Sequence, residues 1–155
     1  MRIILLFLCA FATLCACKER AADGRSKPAQ YALAGSWRLI SGTVMEKGDT
    51  TTTDYTKNTS FVKIINETHF AFLQHDLSKG KDTGAVFAAG GGSYSLSGNQ
   101  YTERLEYCSA REWEGNEFKF TVDIKNDTLI QQGIEKVESA GVNRVNTEKY
   151  VRLKN

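Results

Sequence analysis

Residues 118–125 constrain the fold more than any other part of the chain. Apolar and polar side chains alternate there without exception, in the order Phe-Lys-Phe-Thr-Val-Asp-Ile-Lys. Successive side chains of a strand point to opposite faces, so this segment is predicted to be a strand with one face in a core and the other in water. Such a strand belongs to an antiparallel sheet that is covered on one side only.

Similar runs rich in Val, Ile, Phe, Tyr and Thr recur about every ten residues, separated by Gly, Asn, Asp and Ser. The short joints at 97–99 and 125–127 favour hairpins, because Gly and Asn adopt the positive φ that tight turns need. Sequential hairpins predict an all-β fold, a single antiparallel up-and-down barrel of eight to ten strands, since closure removes exposed edges. The predicted strands cover residues 35–45, 51–55, 60–65, 69–75, 85–88, 92–96, 100–108, 117–125, 128–134 and 147–153.

The segments between these strands contain little helix. Residues 109–113 are predicted to form a single helical turn, which Gly115 ends. Residues 90–92 are three consecutive glycines with no lysine and no helix after them, so a flexible connection between two strands is expected there, and not a phosphate-binding loop.

Glu103 is the exception in the second alternating segment. Its parity is that of Tyr101, Leu105 and Tyr107, which are predicted to point inward. A carboxylate in a barrel interior needs a partner, a proton or water, because desolvation opposes its charge. Glu103 is therefore either a polar anchor in a wet cavity or a member of a packed polar network. The predicted lumen residues are Tyr94, Tyr101, Glu103, Leu105, Tyr107, Phe118 and Phe120.

Residues 1–16 have the layout of a secretory leader. Arg2 gives a positive start, residues 3–8 are apolar, and small or apolar residues continue to Cys17. The apolar run is shorter than the roughly 20 residues of a membrane-spanning helix. The order Leu-Cys-Ala-Cys at residues 14–17 resembles the signal of bacterial lipoproteins, which implies that Cys17 is acylated. The alternative is an ordinary cleaved leader, with Cys17 as a plain thiol.

Residues 17–30 are predicted to form the acylated cysteine and a flexible tether, because they are charged or small and do not alternate. A coil of this length would hold a domain roughly 20 Å from its anchor. Residues 31–155 then form one domain. The resemblance to lipoproteins implies a bacterial cell envelope location, and Lys18 after the anchor favours the outer membrane over the inner one.

Charge and cysteine content argue against a nucleic-acid-binding protein and against a disulfide-stabilised domain. The chain has 20 basic and 18 acidic residues. Cleavage of the leader would remove only Arg2 among them, so 19 basic and 18 acidic residues would leave a net charge of about +1. This balance argues against a nucleic-acid partner, which would need a clustered positive face. Of the four cysteines, only Cys108 lies in the domain, so the fold has no intrachain disulfide and depends on its hydrophobic core.

The start of the first strand carries a family motif. Gly35, Ser36 and Trp37 follow the tether, where lipocalins place their Gly-x-Trp motif. Together with segments 92–94, 98–103 and 126–129, this makes residues 31–154 similar to lipocalin-like lipoproteins of diderm bacteria, calycin-type barrels that are mostly of unknown function. The resemblance implies that Trp37 closes one barrel end and that Arg152 lies across it. The other lipocalin motifs are not evident.

The residues offer no catalytic or metal-binding constellation. His69 and His75, the only histidines, would lie roughly 20 Å apart along one strand, so they are not expected to share a metal ion. We expect no enzyme activity, no cofactor and a monomer. The leading hypothesis is a membrane-anchored barrel that binds a small, mostly apolar ligand in its lumen. The alternative is a structural or protein-interaction envelope lipoprotein with a packed barrel and no ligand.

Overall fold

The computed structural model describes residues 32–154; the predicted leader, Cys17 and the tether lie outside the described residues. These residues form nine strands and two single-turn 3-10 helices. No helix in this range is long and apolar enough to cross a membrane. The strands are β1 (Gly35–Glu46), β2 (Asp49–Asp54), β3 (Thr59–Ile65), β4 (His69–Asp76), β5 (Phe87–Ser97), β6 (Gln100–Cys108), β7 (Glu117–Lys125), β8 (Thr128–Val137) and β9 (Val142–Arg152), and the helices are Arg111–Trp113 and Glu138–Ala140.

The sheet closes into an antiparallel barrel of eight strands. From β3 to β9 each strand pairs with the next, and both β3 and β9 pair with β1. The remaining strand, β2, is additional: it pairs with the second half of β1, whereas β3 pairs with the first half. The predicted all-β up-and-down barrel is confirmed. Closure gives the eight barrel strands hydrogen-bonded neighbours on both sides.

The strand boundaries differ from the prediction most clearly in β5. Residues 85–88 and 92–96 were expected to be separate strands joined by a flexible glycine segment, and this expectation is wrong, because one continuous strand runs from Phe87 to Ser97. A Cβ atom on Gly90 would lie 2.5 Å from the Phe72 ring. The glycine therefore makes room for an aromatic side chain within the sheet. Strands β8 and β9 also extend further than predicted.

One end of the barrel, called the packed end below, holds most of the buried core side chains. The buried side chains there come from the start of β1 and from strand ends next to the short hairpins. The opposite end, called the open end below, carries the longer connections 77–86 and 109–116 and contains the cavity described below. The core residues of the packed end are Leu33, Trp37, Leu39, Ile65, Phe70, Tyr94, Tyr101 and Leu129.

Candidate functional site

Trp37 and Arg152 close the packed end of the barrel. Trp37 is fully buried, and its Nε1 donates a hydrogen bond to the Leu33 carbonyl oxygen at 2.8 Å. The Arg152 guanidinium carbon lies 4.0 Å from the centre of the Trp37 ring, in cation–π geometry. Its Nη1 donates to the Ala34 carbonyl oxygen at 2.8 Å, and its Nη2 donates to that of Ala32. The expected contact between Trp37 and Arg152 is thus present.

The position two residues before Trp37 requires a glycine, Gly35. Its φ is +143°, in the region that residues other than glycine rarely adopt. A Cβ atom at this position would also lie 2.5 Å from Arg152 Nη1. The glycine, the tryptophan and the arginine therefore form a single packing unit.

A cavity of about 450 Å³ opens beyond the packed end. All eight barrel strands and β2 contribute to its wall. Its size falls in the range of small-molecule sites, roughly 300 to 1,000 Å³. Of the predicted lumen residues, Glu103, Leu105, Phe118 and Phe120 line the cavity. The other inward residues, Tyr94 and Tyr101, are buried in the core of the packed end.

Tyr107 does not face the lumen, and this part of the prediction is wrong. A β-bulge shifts the register between β5 and β6, so that Gly91 pairs with Tyr107 and Gly92 pairs with Leu105. Glu106 is the extra residue, and it reverses the parity of the residues that follow. Tyr107 is consequently 69% exposed on the outer face, and Cys108 lines the cavity in its place. The alternation of β6 alone gives no sign of the bulge.

Glu103 forms a buried ion pair on the wall of the cavity. The Lys63 ammonium contacts Glu103 Oε1 and donates a hydrogen bond to Gln131 Oε1 at 2.9 Å. Lys63 is 3% exposed and Glu103 is 7% exposed. The Lys63 Nζ atom also lies within 5.8 Å of three aromatic ring centres. The pair is therefore desolvated and held by several neighbours at once.

Sequence reasoning identified Glu103 but missed Lys63. The signal was present, because Lys63 has the parity of Phe61 and Ile65, two residues whose side chains are apolar. An inward lysine on one strand and an inward glutamate on another suggest a pair. Only the strand order tells whether they meet.

A second ion pair lies nearer the open end. Arg144 Nε contacts Glu135 Oε2 at 2.6 Å, and Asn146 Nδ2 donates to Glu135 Oε1 at 2.8 Å. The Arg144 guanidinium carbon lies 5.5 Å from the centre of the Trp113 ring. Both carboxylate oxygens of Glu135 are therefore occupied by protein donors.

Glu148 lies on β9 and also faces the cavity. Its Oε2 accepts a hydrogen bond from the Tyr150 hydroxyl at 2.8 Å. Burial raises the pKa of Glu148, while Lys63 opposes this rise and the Glu135 and Glu103 carboxylates add to it. Glu148 forms no ion pair within residues 32–154. It is the lumen carboxylate without a cationic partner in that range.

Aromatic rings form one wall of the cavity near Glu148. The Phe61 ring is at the centre of this group, 5.9 Å from the Tyr55 ring, 5.8 Å from the Phe72 ring and 6.4 Å from the Tyr150 ring. These distances are those of favourable stacked and edge-to-face contacts. We call Tyr55, Phe61, Phe72 and Tyr150 the aromatic wall. The cavity thus combines aromatic rings with five acidic or basic side chains, which is suited to binding.

Among residues 32–154, no group of three or more His, Cys, Asp or Glu side chains is placed to hold a metal ion. The closed barrel of eight antiparallel strands is consistent with a lipocalin-like fold. A scan against protein-family models gives no match, and a search of curated proteins finds no significant similarity.

Proposed function

We propose that this protein binds a small amphipathic molecule in the barrel lumen and that lipid on Cys17 holds it at a bacterial membrane. The observation that carries the binding proposal is the cavity of about 450 Å³ at the open end of the barrel. A structural barrel would gain stability from filling this space, since protein interiors are close-packed. A cavity retained in the interior is better explained by an occupant.

The composition of the wall narrows the chemistry of that occupant. The aromatic wall, Phe118 and Phe120 favour an apolar body, whereas Lys63, Glu103, Gln131 and other polar groups favour polar substituents. A wholly apolar ligand would leave Glu148, the lumen carboxylate with an unoccupied oxygen among the described residues, desolvated without compensation. The expected mostly apolar ligand is therefore replaced in this proposal by one with an apolar body and a polar group.

The anchoring part of the proposal is supported by the sequence. The segment Leu-Cys-Ala-Cys at residues 14–17 has the form of a lipoprotein signal. Residues 17–30, predicted from their composition to be the acylated cysteine and a tether, would separate the barrel from the membrane surface. Such a tether would leave the open end free to exchange ligand beside the bilayer.

Two neighbouring alanines of β5 allow a matched test of lumen binding. Ala88 lines the cavity, whereas Ala89 lies on the outer face. We expect the neutral dye Nile red to gain fluorescence with the wild type and with Ala89→Trp, and to lose most of that gain with Ala88→Trp, because the indole fills the lumen. Equal fluorescence in both variants would overturn lumen binding.

A second function, contact with another envelope component, is favoured by one observation on the outer surface. Leu73, Phe87 and Tyr107 are exposed on neighbouring strands. Exposed apolar side chains grouped in this way are typical of interaction surfaces. This contact is compatible with an occupied lumen, and a loss of Nile red binding in Ala89→Trp alone would favour the outer face as the binding surface.

A further inference from the structure

The charges that face the cavity do not balance. Lys63 and Arg144 are its two cationic side chains, and Glu103, Glu135 and Glu148 are its three carboxylates. Lys63 pairs with Glu103, and Arg144 pairs with Glu135. Burial raises the pKa of the third carboxylate, Glu148, which has no ion-pair partner within residues 32–154, so its ionised form leaves one negative charge in excess among these five groups.

The uncompensated carboxylate also has a free oxygen. The Tyr150 hydroxyl occupies Oε2, and no donor among the described residues reaches Oε1 of Glu148. A carboxylate can accept more hydrogen bonds than this one receives. An enclosed carboxylate gains far more from an opposite charge than an exposed one does, because the surroundings screen the interaction less. A cation in the cavity would supply both the missing charge and the missing donor.

The aromatic wall supplies the rest of a cation site. Tyr150 donates to Glu148 and lies against Phe61, which in turn contacts Tyr55. Ring faces attract cations, and they do so more strongly where water is excluded. The same lumen already uses this contact twice, with Lys63 over the rings of the packed end and Arg144 over Trp113.

We propose that the ligand of the lumen is an organic cation, a primary amine with an apolar body, whose ammonium group pairs with Glu148 Oε1 while its body lies against the aromatic wall. This inference rests on the proposed lumen binding and specifies its substrate class. The ammonium would bring the cavity to electrical neutrality. An anionic ligand would instead meet the uncompensated Glu148 charge.

Three probes of matched shape test this preference by isothermal titration calorimetry on the purified full chain at neutral pH. They are 2-phenylethylammonium, the neutral 2-phenylethanol and the anionic 3-phenylpropanoate. For the wild type we expect the ammonium to bind about tenfold or more tightly than the alcohol, the ratio that one charge-assisted hydrogen bond provides. The carboxylate should bind most weakly of the three.

Two variants remove one negative charge each from opposite faces of the barrel. Glu148→Gln keeps an acceptor for Tyr150 and should reduce the ammonium preference to less than about threefold, with the affinity for the alcohol unchanged. Asp123→Asn changes an exposed residue of β7 and should behave as the wild type does.

A third variant, Tyr55→Leu, removes one ring of the aromatic wall and should weaken binding of the ammonium more than binding of the alcohol. Circular dichroism checks that each variant is folded.

The outcomes separate the inference from the proposed function. If the three probes bind equally, or if the ammonium preference persists in Glu148→Gln, the organic-cation assignment is overturned while lumen binding stands. If none of the probes binds and Ala88→Trp leaves Nile red fluorescence unchanged, both are overturned. A preference that disappears only in Glu148→Gln and weakens in Tyr55→Leu supports the assignment.

Discussion

Glu103 and Lys63 form the most consequential pair of single residues in the barrel. Each alone would be a buried charge without compensation, and together they form an ion pair on the cavity wall. Sequence parity left open whether Glu103 belongs to a wet cavity or to a packed network. The structure shows a polar network of Lys63, Glu103 and Gln131 that borders the cavity.

Removing one member of this pair should destabilise the fold. Glu103→Leu is expected to lower the free energy of unfolding by about 3 to 5 kcal/mol, because Lys63 would remain buried without its partner. Combining it with Lys63→Met should restore most of that loss, since neither member of the pair is then left buried without the other. Urea denaturation measures both, and Asp123→Leu on the outer face serves as a control within about 0.5 kcal/mol of the wild type.

A Glu103→Leu variant as stable as the wild type would contradict this account. It would mean that water solvates Lys63 through the cavity well enough to replace the carboxylate. The double variant distinguishes that case, because it would then add nothing.

At the scale of elements, β1 and β9 determine whether the barrel closes. Trp37 of β1 and Arg152 of β9 are register partners, and they also contact each other through their side chains. Gly35 leaves the space that the guanidinium occupies. The first and last strands are thus joined by backbone hydrogen bonds and by a side-chain contact at the same place.

Trp37→Ala should open this closure. The expected loss is about 3 to 5 kcal/mol, the usual result of truncating a large buried aromatic residue. This is close to the whole stability of many domains, which is about 5 to 15 kcal/mol. Thermal unfolding followed by circular dichroism measures it, and Trp37→Phe, which keeps a ring for Arg152, should lose less. A melting temperature for Trp37→Ala within a few degrees of the wild type would contradict the stabilising role of Trp37 in barrel closure.

At the scale of the whole molecule, the proposed lipid anchor on Cys17 would hold the barrel at a membrane. Lipid is the only membrane signal that the sequence suggests, and several acyl chains bind stably where one binds only marginally. Cys17→Ser should therefore give unprocessed or soluble protein in detergent-phase partitioning. Cys15→Ser, two residues away within the leader, is the matched control and should stay in the detergent phase. Membrane association of the Cys17→Ser protein would refute the lipoprotein proposal.

The sequence alone determined most of the strands and the direction in which most of their side chains face. In β7, Phe118, Phe120 and Val122 are buried as their alternation predicts, because the period of a strand depends only on local backbone geometry. The closing contact of Trp37 was likewise predictable, since the resemblance to lipocalins named both partners.

The tertiary structure decided what these local patterns do not contain. Lys63 and Glu103 are 40 residues apart, and only the strand order brings them together. The bulge before Tyr107 and the continuity of β5 through its glycines depend on what the neighbouring strand presents, such as the Phe72 ring beside Gly90. Alternation tells which face a side chain occupies, whereas its partners, and the space left between them, depend on the register of the whole closed barrel.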